Sequence, residues 1–271
     1  TDNTQKTRVV KFNINDEVEK VLTAKVLTAK DLIGKESEYI GKYTNYKASN
    51  DASIKWRIFD IVGQGDNAYV TLISEDYVDL TNAGVTATGN IQISGYGIYS
   101  DSSRRDELMT YLTTPTNWAS FKDSGASLAT SVVGAATLPE FQSSYNKKFT
   151  PTLDILELEA GGSCAGITSA YAAGYVVKQS TDTNYDYYTN IGTTGTAKDL
   201  YVRTDTKNDT VYAYWLASPS ARLDYCVMYV YYIGNVGNYL YHFGTCGARP
   251  VVSLKSGVQM IEKNGEIELS I

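Results

Sequence analysis

Histidine, cysteine and basic charge are scarce in this sequence, and each shortage excludes a class of site. A single histidine, His242, argues against ordinary zinc and non-haem iron centres. The three cysteines, Cys164, Cys226 and Cys246, form no CxxC pattern and do not suggest a disulfide-built scaffold. With 24 Lys and Arg against 30 Asp and Glu, the net charge is −6. Because phosphate binding needs a basic surface, we expect no nucleic-acid partner.

Other signals of chemistry or membrane insertion are missing too. The sequence contains no apolar run of about 18 residues, so it predicts no membrane span in this chain. It has no glycine-rich phosphate loop and no Gly-x-Ser-x-Gly elbow, and its pairs of acids are what any acidic chain provides. We therefore expect no catalytic residues, no metal and no cofactor.

Tyrosine, in contrast, is abundant. The chain has 23 Tyr against 6 Phe and 3 Trp. Since a buried tyrosine hydroxyl needs a hydrogen-bond partner, this balance favours exposed sheet faces and contact surfaces.

The pattern along the chain predicts an α+β order. We expect residues 1–30 to be a polar segment and a short helix starting at Asp16, a stalk or linker to an anchor that has been removed. Residues 31–271 then form one domain. A fresh helical turn is predicted at Thr28 with Asp31 in capping-box spacing, and a second capping box at Thr137 and Glu140 begins another helix. Further segments complete the predicted order: helices over 103–112 and 117–122, and strands over 39–46, 54–62, 68–74, 173–177, 199–203, 251–254 and 266–271.

The stretch from Val211 to Leu254 interleaves two kinds of residue. One kind is typical of a buried framework, and we expect these five to be buried: Trp215, Val227, Val230, Val236 and Arg249. The other kind is Tyr, Asn, Gly and Thr with almost no charge. Tyrosine gives broad contact at low entropy cost and small polar residues adapt, so this is the composition of a binding surface. A half-exposed sheet in which Tyr simply fits the pleat is the alternative.

Two motifs in this stretch carry a resemblance. The run YWLASPS and the later run GARPVVSLKSGV resemble the C-terminal part of bacterial and phage surface proteins with a C-type lectin-like fold. Some of these are variable proteins of diversity-generating retroelements. The earlier TAKDLIGKESEYIGKYTNY resembles the first half of such domains in gut Firmicutes, many with a pilin-like precursor. The resemblance implies an α+β, C-type lectin-like fold of mixed and antiparallel sheets with a few helices, preceded by a short N-terminal helix, and a variable region at about residues 215–250.

In the retroelement proteins, error-prone copying replaces adenines, so that Asn codons scatter to Tyr, His, Ile, Leu, Thr, Gly and Cys among others. Most gap residues here are reachable from Asn in that way. The resemblance and the composition together give these candidate ligand-binding residues: Arg222, Leu223, Asp224, Tyr225, Cys226, Tyr229, Tyr231, Tyr232, Ile233, Asn235, Gly237, Tyr239, Leu240, Tyr241, His242, Thr245 and Cys246.

The function these observations predict is a non-enzymatic ligand-binding protein. Its partner would be a protein or other surface macromolecule of a host, a neighbouring cell or a phage target. Its location would be extracellular, on a cell surface or pilus-like fibre, or else on a virion. Two alternatives stay open: an invariant structural pilin or adhesin subunit, and an enzyme of the formylglycine-generating type that would use Cys226 and Cys246.

Overall fold

Alternating and continuous apolar segments of this chain pair into sheets, and helices are few. The structure is a computed structural model that describes residues 8–10, 22–48, 52–77, 114, 121–122, 126–127, 129–149, 153–159, 161, 173–178, 185–186, 189–192, 198–202, 213–223, 226–240 and 246–270. Everything below refers to these residues.

The largest sheet has eight strands. In order across the sheet they are β3 (Val26–Leu27), β19 (Gln259–Lys263), β20 (Glu266–Ser270), β4 (Tyr43–Thr44), β5 (Trp56–Val62), β6 (Tyr69–Ser74), β18 (Pro250–Leu254) and β9 (Ala129–Ala135). All neighbours are antiparallel except β20 and β4, which are parallel.

A second sheet has five strands. Their order is β13 (Thr189–Asn190), β16 (Asn235–Leu240), β15 (Cys226–Tyr231), β14 (Ala213–Pro219) and β17 (Cys246–Gly247). A third sheet joins β10 (Ile155–Leu158), β11 (Gly174–Lys178) and β12 (Tyr185–Asp186). Two short pairs remain, β1 (Arg8–Val10) with β2 (Leu22–Ala24) and β7 (Phe121–Lys122) with β8 (Ala126–Ser127).

The described helices are short. They are α1 (Glu36–Tyr39) and α2 (Leu138–Asn146), with 3₁₀ turns at Ala29–Leu32, Gly65–Asn67 and Lys198–Leu200. The expectation of an α+β chain with a C-type lectin-like fold is therefore wrong: the chain is mostly β-sheet, with strands far outnumbering helices in its described part.

The N-terminal segment shows one physical reason for that error. The short helix predicted from Asp16 would run through a tandem repeat of VLTAK at residues 21–30. Instead, Leu22–Ala24 and Val26–Leu27 are strands, and Val26 and Leu27 pair with Ile261 and Met260. Partners distant in sequence decide such short β-branched segments. The domain boundary at residue 30 stays a prediction.

Some of the other predicted elements are confirmed and others are wrong. The hairpin of β5 and β6 and the strands β11, β18 and β20 are confirmed within one or two residues. The predicted strand over 39–46 is wrong over most of its length, because Tyr39 ends α1 and only Tyr43–Thr44 pair. The segment 199–203 is not a strand in its described part, where a 3₁₀ turn ends at Leu200. Phe121–Lys122, predicted as a helical turn, form β7. The predicted helix at 103–112 lies outside the described residues.

Both predicted capping boxes are confirmed. The Asp31 carboxylate accepts the Thr28 backbone N–H at 2.8 Å, and that of Glu140 accepts the Thr137 N–H at 2.8 Å. The second box positions α2 so that its N-terminus reaches the five-stranded sheet, where the Leu138 N–H donates to Ser218 Oγ at 2.8 Å. The helix thereby connects the two larger sheets.

Two buried side chains hold the core beneath the five-stranded sheet. Tyr201 lies among the rings of Phe141, Tyr145 and Phe149 with centroids 5.3, 5.3 and 5.9 Å away. The guanidinium of Arg249 donates to Ser74 O at 3.0 Å and to Leu200 O at 2.8 Å, and it lies 5.0 Å from the centre of the Tyr214 ring. Arg249 therefore has a structural role, joining β6 to the five-stranded sheet.

Candidate ligand-binding face

The antiparallel hairpin of β15 and β16 carries most of the candidate residues. Its register pairs Val227 with Tyr239 and Tyr229 with Gly237. Paired residues of an antiparallel ladder share a face, and so do residues two apart along a strand. Tyr229, Tyr231 and Tyr239 therefore lie on one side of the sheet.

The rings on this side form an unbroken chain. Tyr239 and Tyr229 are 5.9 Å apart between centroids, Tyr229 and Tyr231 are 6.0 Å apart, and Tyr231 and Tyr232 are 4.6 Å apart. Gly237 opposite Tyr229 has no side chain, which leaves room for the first of these contacts. Tyr239 is 38% exposed and the other three are half-buried. We call these four residues the tyrosine face.

The opposite side of the hairpin faces the core. Met228, Val230 and Val236 are fully buried there. Trp215 lies on the same side of the sheet as the tyrosine face, since it pairs with Tyr229, yet it is only 1% exposed. Its indole Nε1 is buried and has no hydrogen-bond partner in the described part of the chain. All five framework residues expected to be buried are confirmed as buried, Arg249 and Val227 included.

The turn between the two strands is fixed by a distant segment. Gly234 donates its N–H to Tyr231 O at 2.8 Å and has φ of 90°. Its carbonyl accepts the Ile191 N–H at 2.8 Å, and a Cβ at this position would lie 2.8–2.9 Å from the backbone of Gly192. Only glycine fits this close approach. The turn that carries Tyr232 and the 41% exposed Ile233 is thus held in one conformation.

Charge is absent from the described hairpin. Residues 226–240 contain no Asp, Glu, Lys, Arg or His. Arg222, just before the hairpin, is exposed. The surface that the hairpin presents is therefore neutral, aromatic and backed by a rigid core.

The structure separates the candidate residues into three groups. Those at least partly accessible are Arg222, Leu223, Tyr229, Tyr231, Tyr232, Ile233, Asn235, Tyr239 and Leu240. Those outside the described residues are Asp224, Tyr225, Tyr241, His242 and Thr245. Leu240 pairs with Cys226 and so lies on the side opposite the tyrosine face.

Three candidates are buried: Cys226, Gly237 and Cys246. Their role as ligand contacts stays a prediction, and in this conformation they present almost no surface to a partner. They are candidates because their residue types can be reached from Asn codons by changing adenines. That criterion does not show which face of a strand a residue occupies.

The two cysteines are buried thiols without a disulfide between them. Cys246 pairs with Ala213 at one end of β14, whereas Cys226 precedes Val227, which pairs with Pro219 at the other end. Six residues of strand span roughly 20 Å, far more than a disulfide bridges. Burial raises the pKa of the Cys246 thiol.

Residues that sequence reasoning missed are those that hold the turn. Asn190 accepts the Gly192 N–H on its side-chain oxygen at 2.7 Å, and its strand β13 pairs with β16. Ile-Gly dipeptides at Ile191 and Ile233 are no guide, because the same dipeptide occurs at Ile33 and Ile40 and no local pattern shows which two meet. This contact depends on tertiary structure alone.

Two further features are absent from the described residues. No group of three or more His, Cys, Asp and Glu side chains there has an arrangement suited to a metal ion. No described helix has both the length and the apolar character needed to cross a membrane.

Comparison with known proteins gives one match. Residues 169–256 match the model of a family described as a domain of unknown function, DUF6273. This range includes the whole β14–β17 region and the tyrosine face, but less than half of the chain. No curated protein and no solved structure matches the sequence. The chain is thus similar to DUF6273 over the segment that carries the candidate face.

Proposed function

We propose that this chain is a non-enzymatic binding protein whose tyrosine face docks a macromolecular partner. The observation that carries the proposal is the continuous row of four tyrosine rings on a neutral hairpin. Met228, Val230 and Val236, on the reverse side of that hairpin, are fully buried. Three of the four rings are half-buried and Tyr239 is 38% exposed, so each keeps accessible surface. A contiguous row of accessible aromatic side chains is typical of an interaction site.

Rigidity supports the same function. The Gly234–Gly192 contact and the buried valines fix the backbone beneath the rings. A side chain on a fixed backbone loses little entropy when it binds, so more of its contact energy appears as affinity. Tyrosine is also one of the residues that dominate interface energetics.

A protein surface is the partner that this face fits best. Interfaces are depleted in charge at their centre and enriched in tyrosine, as this hairpin is. We further propose that the protein acts outside the cell, on a cell surface, fibre or virion, and that the accessible hairpin residues vary between copies through a retroelement. A nearby reverse transcriptase gene and a template copy that differs only at adenines would support variation, and their absence would leave an invariant adhesin or pilin subunit.

The enzyme alternative gains no support from the geometry. An activity based on Cys226 and Cys246 needs two thiols close together and readily ionised. Here they lie at opposite ends of β14, both are buried, and burial raises the pKa of Cys246.

The proposal is tested by comparing three proteins on an array of extracellular proteins and glycans. The first is the wild type, the second carries Tyr229→Ala, Tyr231→Ala and Tyr239→Ala, and the third is a control with Tyr39→Ala and Tyr69→Ala. The control removes two half-buried tyrosines from other parts of the molecule. We expect ligands that bind the wild type and the control but lose affinity for the triple variant by about tenfold or more.

Unfolding curves show first that all three proteins are folded. If every ligand binds the triple variant as tightly as the wild type, the tyrosine face is not the binding surface. If the ligands that lose affinity for the triple variant are all glycans, the partner class is carbohydrate instead of protein.

A further inference from the structure

Two cationic side chains, those of Arg57 and Lys148, meet beside Gly41, and Arg57 belongs to the eight-stranded sheet and not to the sheet that carries the tyrosine face. A third cation, Lys42, is the next residue in the chain, and its charge acts on Lys148. We call Gly41 with these three residues the Gly41 notch. Such a cluster stands out in a chain with a net charge of −6.

Arg57 is the buried member, with 8% of its surface exposed. Its Nε donates to Gly41 O at 2.8 Å, and its guanidinium lies 4.9 Å from the centre of the Tyr43 ring. Its Nη1 is 3.8 Å from a Glu75 oxygen, which is beyond hydrogen-bond length. The Nε hydrogen bond and the ring contact hold the guanidinium in place, with Nη2 as its atom nearest to the side of Gly41 where a Cβ would lie.

Lys148 approaches the same point from the end of α2. Its Nζ donates to the carbonyls of Ile40 and Ser37, which accounts for two of its three protons. Burial, followed by the charges of Arg57 and Lys42, lowers the pKa of Lys148. The ammonium is thus in surroundings that favour a nearby negative charge.

Gly41 has no side chain to occupy the position between these two cations. A Cβ on this residue would be in ordinary contact with Arg57 Nη2 at 3.4 Å, Lys148 Nζ at 3.7 Å and Leu200 Cδ2 at 3.8 Å, so both nitrogens border the same small gap. Lys42 lies next in the chain, with its Nζ 2.5 Å from Glu262. Two carboxylates, Glu75 and Glu262, contact the notch, which holds three cations.

We propose that the Gly41 notch binds a small oxyanion, with phosphate as the representative ligand. An oxygen in the gap would accept from Arg57 Nη2 and from the third proton of Lys148. Charge-assisted hydrogen bonds of this kind are about twice as strong as neutral ones, and arginine suits planar and tetrahedral oxyanions. The bound charge would also offset the mutual repulsion of the cations.

The test is a titration of the labelled protein with inorganic phosphate, followed by NMR at constant ionic strength. Sodium chloride is the reference, and acetate is a second arm that separates carboxylates from phosphate. We expect saturable shifts of the Arg57 side-chain N–H and the Lys148 methylene signals with phosphate, and none with chloride. Saturation by acetate at equal concentration would assign the notch to carboxylates of peptides or small acids.

Gly41→Ala is the discriminating variant, because it keeps every cation and fills the gap with a methyl group. Gly34→Ala is its matched control: Gly34 has φ of 82°, close to the 92° of Gly41, but no atom lies within 4 Å of its added Cβ. We expect Gly41→Ala to weaken phosphate binding by about tenfold or more and Gly34→Ala to leave it unchanged. Arg57→Gln should abolish the saturable shifts.

The proposal is overturned if phosphate produces only the linear, unsaturable shifts that chloride produces. It is also overturned if Gly41→Ala and Gly34→Ala bind phosphate as the wild type does. If Gly41→Ala fails to fold, Lys148→Met tests the same gap by removing one of its two donors. None of these results bears on the tyrosine face, which lies on another sheet.

Discussion

Two hairpins of this protein have the same architecture and opposite surfaces. In the β15–β16 hairpin the residues are neutral, with four tyrosines, and the turn at Gly234 packs against Gly192. In the β19–β20 hairpin, Glu262, Lys263, Glu266 and Glu268 carry charge, and the Asn264–Gly265 turn touches nothing at the Cβ position of its glycine.

The difference separates an ordinary exposed hairpin from one suited to contact. Charged side chains on a solvated hairpin keep it from pairing with other chains. The first hairpin lacks that protection and yet has a turn anchored by a second segment. A neutral aromatic surface that is also held rigid is what a binding face requires, and the charged hairpin serves as its internal control.

The largest expected effect comes from the buried tryptophan beside the tyrosine face. Replacing the fully buried Trp215 by Ala should lower the free energy of unfolding by roughly 3–5 kcal/mol, as for other large-to-small core changes. Trp215→Phe should cost clearly less, because the indole Nε1 has no hydrogen bond to lose in the described structure. Urea denaturation of both variants measures this. Equal losses would mean that the indole makes a specific interaction.

Substitutions of the two turn glycines allow a direct comparison of the two hairpins. Both Gly234 and Gly265 have positive φ, 90° and 84°, so an alanine at either position is strained by about 1–3 kcal/mol. Gly234→Ala should cost about 1–3 kcal/mol more, because its Cβ collides with the backbone of Gly192. Thermal or urea unfolding gives the difference, and equal costs would show that the Gly192 contact does not fix the turn.

Buried tyrosines set the alkaline limit of stability. Burial raises the pKa of Tyr46, Tyr201 and Tyr214 in the folded protein above the ordinary value of about 10. Below about pH 10 both the folded and the unfolded protein keep these phenolic protons, so the contribution of the buried neutral tyrosines to stability is fully present. As pH rises through about 10, the unfolded chain loses protons that the folded one retains, and stability falls by up to about 1.4 kcal/mol per pH unit and group.

Urea midpoints measured between pH 8 and pH 11 test this expectation. Tyr46→Phe should flatten the decline, since one titrating group is removed. A decline of the same slope in this variant would assign the effect to other groups.

The smallest effect on stability is expected at the tyrosine face itself. Tyr231→Ala should change the free energy of unfolding by no more than about 1 kcal/mol, because the ring is half-buried and packs against the core without being part of it. The same change should weaken a ligand found by the array by about tenfold or more. Since the hairpin is uncharged, that affinity should change little between low and high salt. A collapse of affinity in salt would point to a charged surface instead.

Much of the local structure follows from short patterns. Thr28 with Asp31 and Thr137 with Glu140 predicted two helix starts, because a capping box is satisfied within four residues. Framework and gap residues around Trp215 predicted which side chains are buried, since apolar character fixes the buried side of a strand. The VLTAK repeat and the segment at 199–203 were assigned wrongly, because their conformation depends on partners far along the chain.

The sequence by itself determined that this protein has a neutral, tyrosine-rich segment between framework valines, since composition and alternation are local properties. Only the tertiary structure decided which of those residues reach the surface, because strand pairing sets the side of the sheet on which each one lies. Cys226 and Cys246 are turned inward by that pairing, and Gly192 meets Gly234 from a segment 42 positions earlier. The convergence of Arg57 and Lys148 on Gly41 is likewise a product of packing, since close approach in space leaves no trace in the order of residues.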